Sequence, residues 1–255
     1  MNLKEGVVYR STGSWYTVKL KGVGFIEARI KGKFRTKGIR TTNPIAVGDV
    51  VMVDLEGENK GVIHQIEPRK NYMIRKSVNL SKEAHIIAAN LDQCVLITTL
   101  VNPVTSTGFI DRFTVTAQAY DIPLLIVFNK IDLYTEKDFN NLDALILAYE
   151  NAGCTCLKTS ALGKDGVDEL KDRLKGKISL FSGHSGSGKS TLINTLDNEL
   201  DLKVGEISES HLKGRHTTTF AEMYDLKDGS RIIDSPGIKG FGLIDLEKEE
   251  LSNFF

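Results

Sequence analysis

The sequence has few cysteines and no long apolar run, and both absences narrow the class of protein. Three cysteines among 255 residues cannot all pair, and none forms a CxxC metal-type spacing, which argues against a disulfide framework. The apolar run at residues 124–128 has the length of a buried strand, whereas a membrane span needs about 20 residues. The N-terminus has no apolar signal segment. We therefore expect a cytoplasmic protein that does not enter a membrane.

The net charge is also zero, but the charges are unevenly distributed along the chain. Residues 1–80 contain 15 Lys and Arg against 7 Asp and Glu, and the remainder contains 18 against 26. A basic front segment on an acidic body is typical of a domain that binds a polyanion such as RNA.

The basic front segment reads as a small β-domain. Between residues 1 and 68, short stretches of alternating apolar residues are separated by glycines, which predicts about five strands. Five short strands favour an oligonucleotide-binding (OB) barrel, and an SH3-like barrel is the alternative. RNA contacts are expected from a basic run in this domain, comprising Lys31, Lys33, Arg35, Lys37 and Arg40.

Residues 69–93 are interpreted as a connector, and residues 94–255 change to alternating strands and helices. Buried-strand runs at 94–100 and 123–130 are each followed by helical spacing of apolar residues. Such alternation predicts an α/β fold with a mostly parallel sheet and helices on both faces.

A glycine-rich loop indicates phosphate binding. Residues 183–190 read GHSGSGKS, which fits the P-loop pattern GxxxxGKS between a strand and a helix. The glycines let backbone N–H groups surround phosphate oxygens, the lysine supplies positive charge, and the last serine is a Mg²⁺ ligand. We assign nucleotide contacts to Gly183, His184, Ser185, Gly186, Ser187, Gly188, Lys189, Ser190 and Thr191.

A second segment indicates that the base is guanine. Asn129-Lys130-Ile131-Asp132 is an NKxD pattern at the end of a buried strand. A carboxylate accepts hydrogen bonds from guanine N1–H and the 2-amino group, which adenine cannot provide. The sequence Thr159-Ser160-Ala161 follows the next strand and fits a third base-contacting loop, so Ser160 and Ala161 join the predicted site.

Two further segments predict the γ-phosphate side of the site. Asp234-Ser-Pro-Gly237 is a DxxG pattern, in which Asp234 would reach Mg²⁺ through water and the Gly237 N–H would sense the γ-phosphate. Three adjacent threonines at 217–219 precede it, and we favour Thr218 as the Mg²⁺ ligand. The residue after DxxG is Ile238, which cannot orient water through a hydrogen bond. We therefore predict that His216 positions the attacking water.

The order of these segments is permuted. GTPases usually run P-loop, switch threonine, DxxG, NKxD and SA, whereas this sequence starts with NKxD and SA. Such a permutation joins the two termini of the usual arrangement, which needs only a short loop. Residues 175–177 can form that loop, so the folded sheet can be preserved.

The combination resembles the bacterial ribosome small-subunit-dependent GTPase A family. The resemblance covers nearly the whole chain and is carried by the permuted order, IDRF at 110–113, NKID, GRHTTT at 214–219 and DSPGIKGFGL at 234–243. It implies an OB domain, a permuted GTPase domain, GTP hydrolysis stimulated by the small ribosomal subunit, and a role in late maturation of that subunit. It also implies that His216 is the proposed catalytic residue, and we expect a monomer that contacts rRNA.

The sequence departs from that family at two points. The family commonly has Gln and Val where this P-loop has His184 and Ser187, both at variable positions. The family also implies a C-terminal zinc module, but residues after 237 contain no Cys/His cluster. We therefore expect Mg²⁺ with GTP or GDP as the cofactor here, and zinc only in the module that this sequence lacks.

Two alternative functions remain open from the sequence. A nucleotide-gated RNA-binding module without catalysis is favoured slightly by Ile238. A P-loop kinase or ATPase is disfavoured by NKID.

Overall fold

The structure, a computed structural model, describes residues 3–30, 44–76, 84–200, 202 and 221–235. Its N-terminal part is a closed five-stranded barrel formed by β1 (Lys4–Ser11), β2 (Tyr16–Leu20), β3 (Gly24–Ile30), β4 (Val50–Leu55) and β5 (Lys60–Ile66). The strands pair in the order β1-β2-β3-β5-β4, and β4 returns to β1. Only the β3–β5 pairing is parallel. This arrangement is the predicted OB-type barrel rather than an SH3-like one.

Alternating residues of the barrel strands form its core. In β2, for example, Tyr16, Val18 and Leu20 are buried while the residues between them are partly exposed. Tyr16 is therefore a core residue, whereas Trp15, just before the strand, remains 44% exposed.

The connector contains a β-hairpin, which its sequence did not predict. Strands β6 (Tyr72–Lys76) and β7 (Ala84–Ala89) pair antiparallel. A buried ion pair ties the start of the connector to the barrel, since Arg69 donates to both carboxylate oxygens of Asp49 at 2.6 and 2.7 Å. Removing one partner of such a pair costs about 3–5 kcal/mol, because the other charge is left buried.

The remaining strands form a largely parallel sheet, as predicted. They are β8 (Gln93–Thr98), β9 (Leu124–Phe128), β10 (Thr155–Lys158), β11 (Ile178–Gly183), β12 (Glu222–Asp225) and β13 (Arg231–Asp234). Their order is β10-β9-β8-β11-β13-β12, and only β12 runs antiparallel to its neighbour in this group.

Helices cover both faces of this sheet, which explains why its central strands are apolar without alternation. Helices α1 (Thr107–Ala119) and α2 (Glu136–Asn151) pack on one face, and α3 (Val167–Leu174) and α4 (Lys189–Leu196) on the other. A short 3₁₀ helix spans Ile131–Leu133. No helix within the described ranges is long and apolar enough to cross a bilayer.

Local signals set the helix ends. Thr135 accepts a hydrogen bond from the Asp138 backbone and the Asp138 side chain accepts one in return, so a capping box starts α2. Gly153 follows its end with a φ of +83°, a conformation that glycine adopts at little cost. Three residues, 175–177, join α3 to β11, as a short permutation joint requires.

The barrel and the parallel sheet are continuous. β1 pairs antiparallel with β12, with Arg10 opposite Glu222, so the barrel extends the sheet at the β12 edge. Within the part of the chain that the structure describes, they form one 11-stranded sheet whose far end closes into the barrel.

Candidate active site

The carboxyl ends of four parallel strands bring the predicted segments to one edge of the sheet. β11 leads into the P-loop, β9 into Asn129, β10 into Thr159, and β13 ends at Asp234. In sheets of this kind, ligands bind at this edge where neighbouring connections turn to opposite faces. Here α1 and α4, which follow the adjacent strands β8 and β11, lie on opposite faces.

The P-loop depends on glycine at two positions. A Cβ on Gly183 would lie 2.6 Å from the carbonyl oxygen of Ile97, so only glycine lets the loop start this close to β8. Gly188 has a φ of +90°, and its Cβ would lie 2.4 Å from Asn129 Nδ2. Gly188 also precedes the first residue of α4 as its N-cap, so the positive end of the helix faces the loop.

Asn129 joins the base-reading and phosphate-binding segments. It is fully buried, and its Nδ2 donates to the Ser187 carbonyl oxygen in the P-loop at 3.0 Å. Its Oδ1 accepts from Thr159 Oγ1 at 3.1 Å and from the Ala161 backbone N–H at 3.2 Å. One side chain thus connects three segments that are far apart in sequence.

Asp132 and Lys130 extend from the same turn. The Ser160 hydroxyl donates to Asp132 Oδ1 at 2.5 Å, which fixes the orientation of an otherwise solvent-exposed carboxylate. Lys130 adopts a left-handed φ of 64°, and its ammonium donates to the Asn102 carbonyl oxygen at 2.5 Å. Burial lowers the pKa of Lys130, although the charge of Asp132 opposes that shift.

Lys189 and Asp234 form a buried ion pair at the phosphate side. The Lys189 ammonium donates to Asp234 Oδ1, and the two side chains are only 9% and 3% exposed. Because β11 and β13 are adjacent and parallel, the P-loop lysine and the carboxylate at the end of β13 reach the same point.

His184 packs against α1. Its ring centroid lies 4.0 Å from that of Phe109, with the planes inclined by 35°. Burial and the nearby charge of Arg112 lower the pKa of His184. A histidine at this variable P-loop position therefore serves as an apolar contact between the loop and α1, and its neutral form is favoured.

One residue that supports the site was not predicted from the sequence. The Tyr134 hydroxyl accepts from the Leu100 backbone N–H at 2.8 Å and donates to the Asn129 carbonyl oxygen at 3.1 Å. It braces the turn after β9 against the loop after β8. Its only sequence signal is an aromatic residue two positions after NKID, which is too common to identify a role.

Several predicted site residues lie outside the described ranges. They are the proposed catalytic pair His216 and Thr218, the DxxG glycine Gly237, and the basic run of Lys31, Lys33, Arg35, Lys37 and Arg40.

The fold and this arrangement define a class of protein. A P-loop on β11, a guanine-type NKxD turn on β9 and a DxxG aspartate on β13 meet at one edge, although NKxD comes first in sequence. This is a circularly permuted P-loop GTPase.

Comparisons with known proteins identify the family within this class. The RsgA GTPase family profile matches residues 66–244, and the RsgA N-terminal domain profile matches residues 5–63. The chain therefore belongs to the RsgA family of GTP-hydrolysing enzymes.

Relatives and solved structures agree with this membership. Proteins named small ribosomal subunit biogenesis GTPase RsgA from Christiangramia forsetii and Bacteroides fragilis are 55% and 54% identical to it. Each match covers 98% of this chain and 81% of the relative.

Two solved structures share the fold. The crystal structure of YjeQ from Thermotoga maritima aligns with a TM-score of 0.77 at 33% identity, covering 99% of this chain and 81% of that one. The structure of YloQ, described as a circularly permuted GTPase, aligns with a TM-score of 0.69 at 25% identity, covering 100% and 78%.

Proposed function

We propose that this protein acts in late maturation of the small ribosomal subunit, and that the subunit stimulates its hydrolysis of GTP to GDP and phosphate. The observation that carries the GTPase part is the Asn129 bridge, because it makes a base-reading turn and a phosphate loop parts of one site. The names of its relatives support the subunit as the partner. We further propose a cytoplasmic location, where ribosomal subunits mature, and a monomeric protein.

The geometry of the site supports the proposed nucleotide contacts. Asp132, oriented by Ser160, reads the guanine edge, while the backbone N–H groups of residues 183–188 and the Lys189 ammonium hold the phosphates. Asn129 positions these two parts and is itself too buried to be displaced easily. Thr191 and Ala161 complete the predicted contacts.

The residues on the phosphate side fit a magnesium ion. Ser190 follows Lys189 at the start of α4, and Asp234 presents a carboxylate beside the same lysine. Hydroxyl and carboxylate oxygens are donors that Mg²⁺ prefers. Ser190 and Thr218 are proposed to contact the ion directly, and Asp234 through water. The ion would neutralise charge on the phosphates, and Asp234 would then face two cations instead of one.

The barrel is proposed to contact rRNA phosphates. Within the described residues, Arg10, Lys19, Lys21 and Arg29 are basic side chains of barrel strands and turns, and the proposed basic run at 31–40 lies between β3 and β4. Binding through phosphates should weaken as salt concentration rises.

A titration of GTP turnover against ribosomal subunits tests this function. We expect a large stimulation by small subunits that declines with salt, and none by large subunits. Lack of stimulation by small subunits would favour a nucleotide-gated RNA-binding module instead. Adding ATP as a competitor of labelled GTP in the same preparation tests the base, since ATP of comparable affinity would contradict guanine recognition.

His216 is proposed to orient the attacking water, because Ile238 cannot do so. Replacing it with alanine should lower subunit-stimulated turnover by about a hundredfold or more, as expected for a group that acts on the reacting water. GDP affinity should stay within about twofold, because base and phosphate contacts lie elsewhere. His64→Ala, in barrel strand β5, is the matched control. Equal turnover of His216→Ala and the unmodified protein would rule out the role.

A further inference from the structure

The junction between the barrel and the GTPase sheet contains a polar cluster centred on Asp225, the last residue of β12. The Tyr9 hydroxyl of β1 donates to Asp225 Oδ1 at 2.6 Å, and the Lys19 ammonium of β2 donates to Oδ2 at 2.5 Å. Both carboxylate oxygens are therefore held by barrel residues.

The barrel side of this cluster is itself well ordered by packing. Tyr9 is only 5% exposed and meets the Phe25 ring edge-on at a centroid distance of 5.0 Å. The Lys19 ammonium lies 5.4 Å from both ring centroids, which adds cation–π attraction. Packing within the barrel thus helps to position both donors.

The charges around Asp225 keep it ionised. Although burial opposes the shift, the hydrogen bonds from Lys19 and Tyr9 and the nearby charge of Arg231 lower the pKa of Asp225. The cluster therefore remains a charge-assisted contact at neutral pH.

β12 connects this cluster, which lies at its C-terminal end opposite Arg231, to the catalytic edge at its N-terminal end. It pairs with β13 so that Glu222 lies opposite Asp234, the residue that contacts Lys189. On its other side, Glu222 lies opposite Arg10 of the barrel. In sequence, β12 begins three residues after the threonines at 217–219. β12 therefore pairs with β13, the strand that ends at Asp234, and it closely follows the proposed switch threonines at 217–219 in the sequence.

We propose that Tyr9 and Lys19 are positioning residues for GTP hydrolysis, which they influence by holding Asp225 and so fixing β12 against β13. The barrel is then part of the hydrolytic apparatus in addition to any role in binding RNA. The base-reading turn and the P-loop stand on β9 and β11, which do not touch the barrel strand β1 in the sheet order. Loss of the cluster should therefore impair hydrolysis and contacts to the γ-phosphate. It should leave base recognition and binding of the other phosphates intact.

The test compares two tyrosines that make the same kind of bond. Tyr9→Phe removes the hydroxyl that contacts Asp225, and Tyr149→Phe removes a hydroxyl that donates to Asp111 at 2.8 Å between α2 and α1. The two tyrosines are similarly buried, at 5% and 8% exposure. For each variant, one would measure single-turnover GTP hydrolysis without ribosomes, and binding of fluorescent GDP and of a non-hydrolysable GTP analogue at several Mg²⁺ concentrations.

We expect Tyr9→Phe to lower the hydrolysis rate and the GTP-analogue affinity by about threefold to tenfold, less than the full effect of losing a hydrogen bond to a charged group, because this bond acts on the site only through β12. GDP affinity should change less than about twofold, since the base-reading turn and the P-loop follow β9 and β11, which do not pair with β12. Tyr149→Phe should leave all three quantities unchanged, whatever it does to the melting temperature.

Substitutions at Lys19 provide a second test. Unlike Tyr9→Phe, they do not change a buried residue. The Lys19 side chain is 42% exposed, so Lys19→Met should fold normally while losing the charge. Lys19→Arg keeps the ion pair and should restore the rate. The proposal is wrong if Tyr9→Phe behaves like Tyr149→Phe, if GDP and the GTP analogue lose affinity equally, or if Lys19→Arg is no better than Lys19→Met. The assay contains no ribosomes, so its result is independent of the proposed role in subunit maturation.

Discussion

Replacing Asp132 with asparagine is expected to change the preferred nucleotide from guanine to xanthine. Ser160 donates to Oδ1 of Asp132, so in the variant the amide oxygen would keep that bond and the amide nitrogen would face the base. An N–H donor there repels the 2-amino group of guanine but pairs with the 2-oxo group of xanthine. We expect guanine-nucleotide affinity to fall by about a hundredfold or more, as for other sites that read a base by paired hydrogen bonds.

Competition of GDP and XDP against a fluorescent guanine nucleotide measures this change. Asp143→Asn is the matched control, because Asp143 is an exposed carboxylate on α2 whose partner is Lys158. It should leave both affinities unchanged, since exposed ion pairs contribute little. An Asp132→Asn protein that still preferred GDP would show that another group reads the base.

Replacing Asn129 with alanine is expected to lower both stability and nucleotide affinity. The variant would leave the Ser187 carbonyl, the Thr159 hydroxyl and the Ala161 N–H without their partner in the protein interior. Because buried polar groups without partners are costly, we expect the free energy of unfolding to fall by about 2–4 kcal/mol. GTP and GDP affinities should fall together, by more than about tenfold, since the P-loop and the base loop would no longer be held in register.

Asn71→Ala separates these two effects. Asn71 makes two comparable bonds to the backbone of Leu91, at 2.9 and 2.8 Å, on the connector. Its loss should reduce stability in denaturant unfolding without altering nucleotide binding. Wild-type affinity in Asn129→Ala would contradict the view that this side chain joins the two halves of the site.

The elements with strong local signals were predictable from the sequence. The P-loop glycines, the helix start at Lys189 and the strand ending at Asp234 were all identified, because each depends on residues close in sequence. The β6–β7 hairpin was missed because the stretch that contains β6 mixes basic residues with only two aliphatic ones, Met73 and Ile74. β12 was missed because it has four residues and a single buried one, Met223. Such a strand forms because it pairs with other strands, one of which is distant in sequence.

In the candidate site, too, residues in local motifs were predictable, whereas contacts between distant residues were not. Motifs identified Asn129, Asp132, Lys189 and Asp234, because their chemistry requires fixed residue types at fixed spacing. The bracing role of Tyr134 and the contact of Tyr9 with Asp225 could not be predicted. The latter joins residues separated by 216 positions, and a single sequence has no signal for such a pair.

The pairing of β1 with β12 has a consequence for how the chain folds during synthesis. The barrel and strands β8, β9 and β10 leave the ribosomal exit tunnel first. The nascent chain then carries two edges that pair only later, one on β8 and one on the C-terminal half of β1, since β4 already pairs with the N-terminal half of β1. Exposed edges of this kind invite association with other chains. β11 covers the β8 edge when the P-loop is made, and β12 covers the β1 edge more than 200 residues after β1. We therefore expect translation arrest before residue 222 to yield an aggregation-prone intermediate, in which the barrel is complete but still presents an open strand.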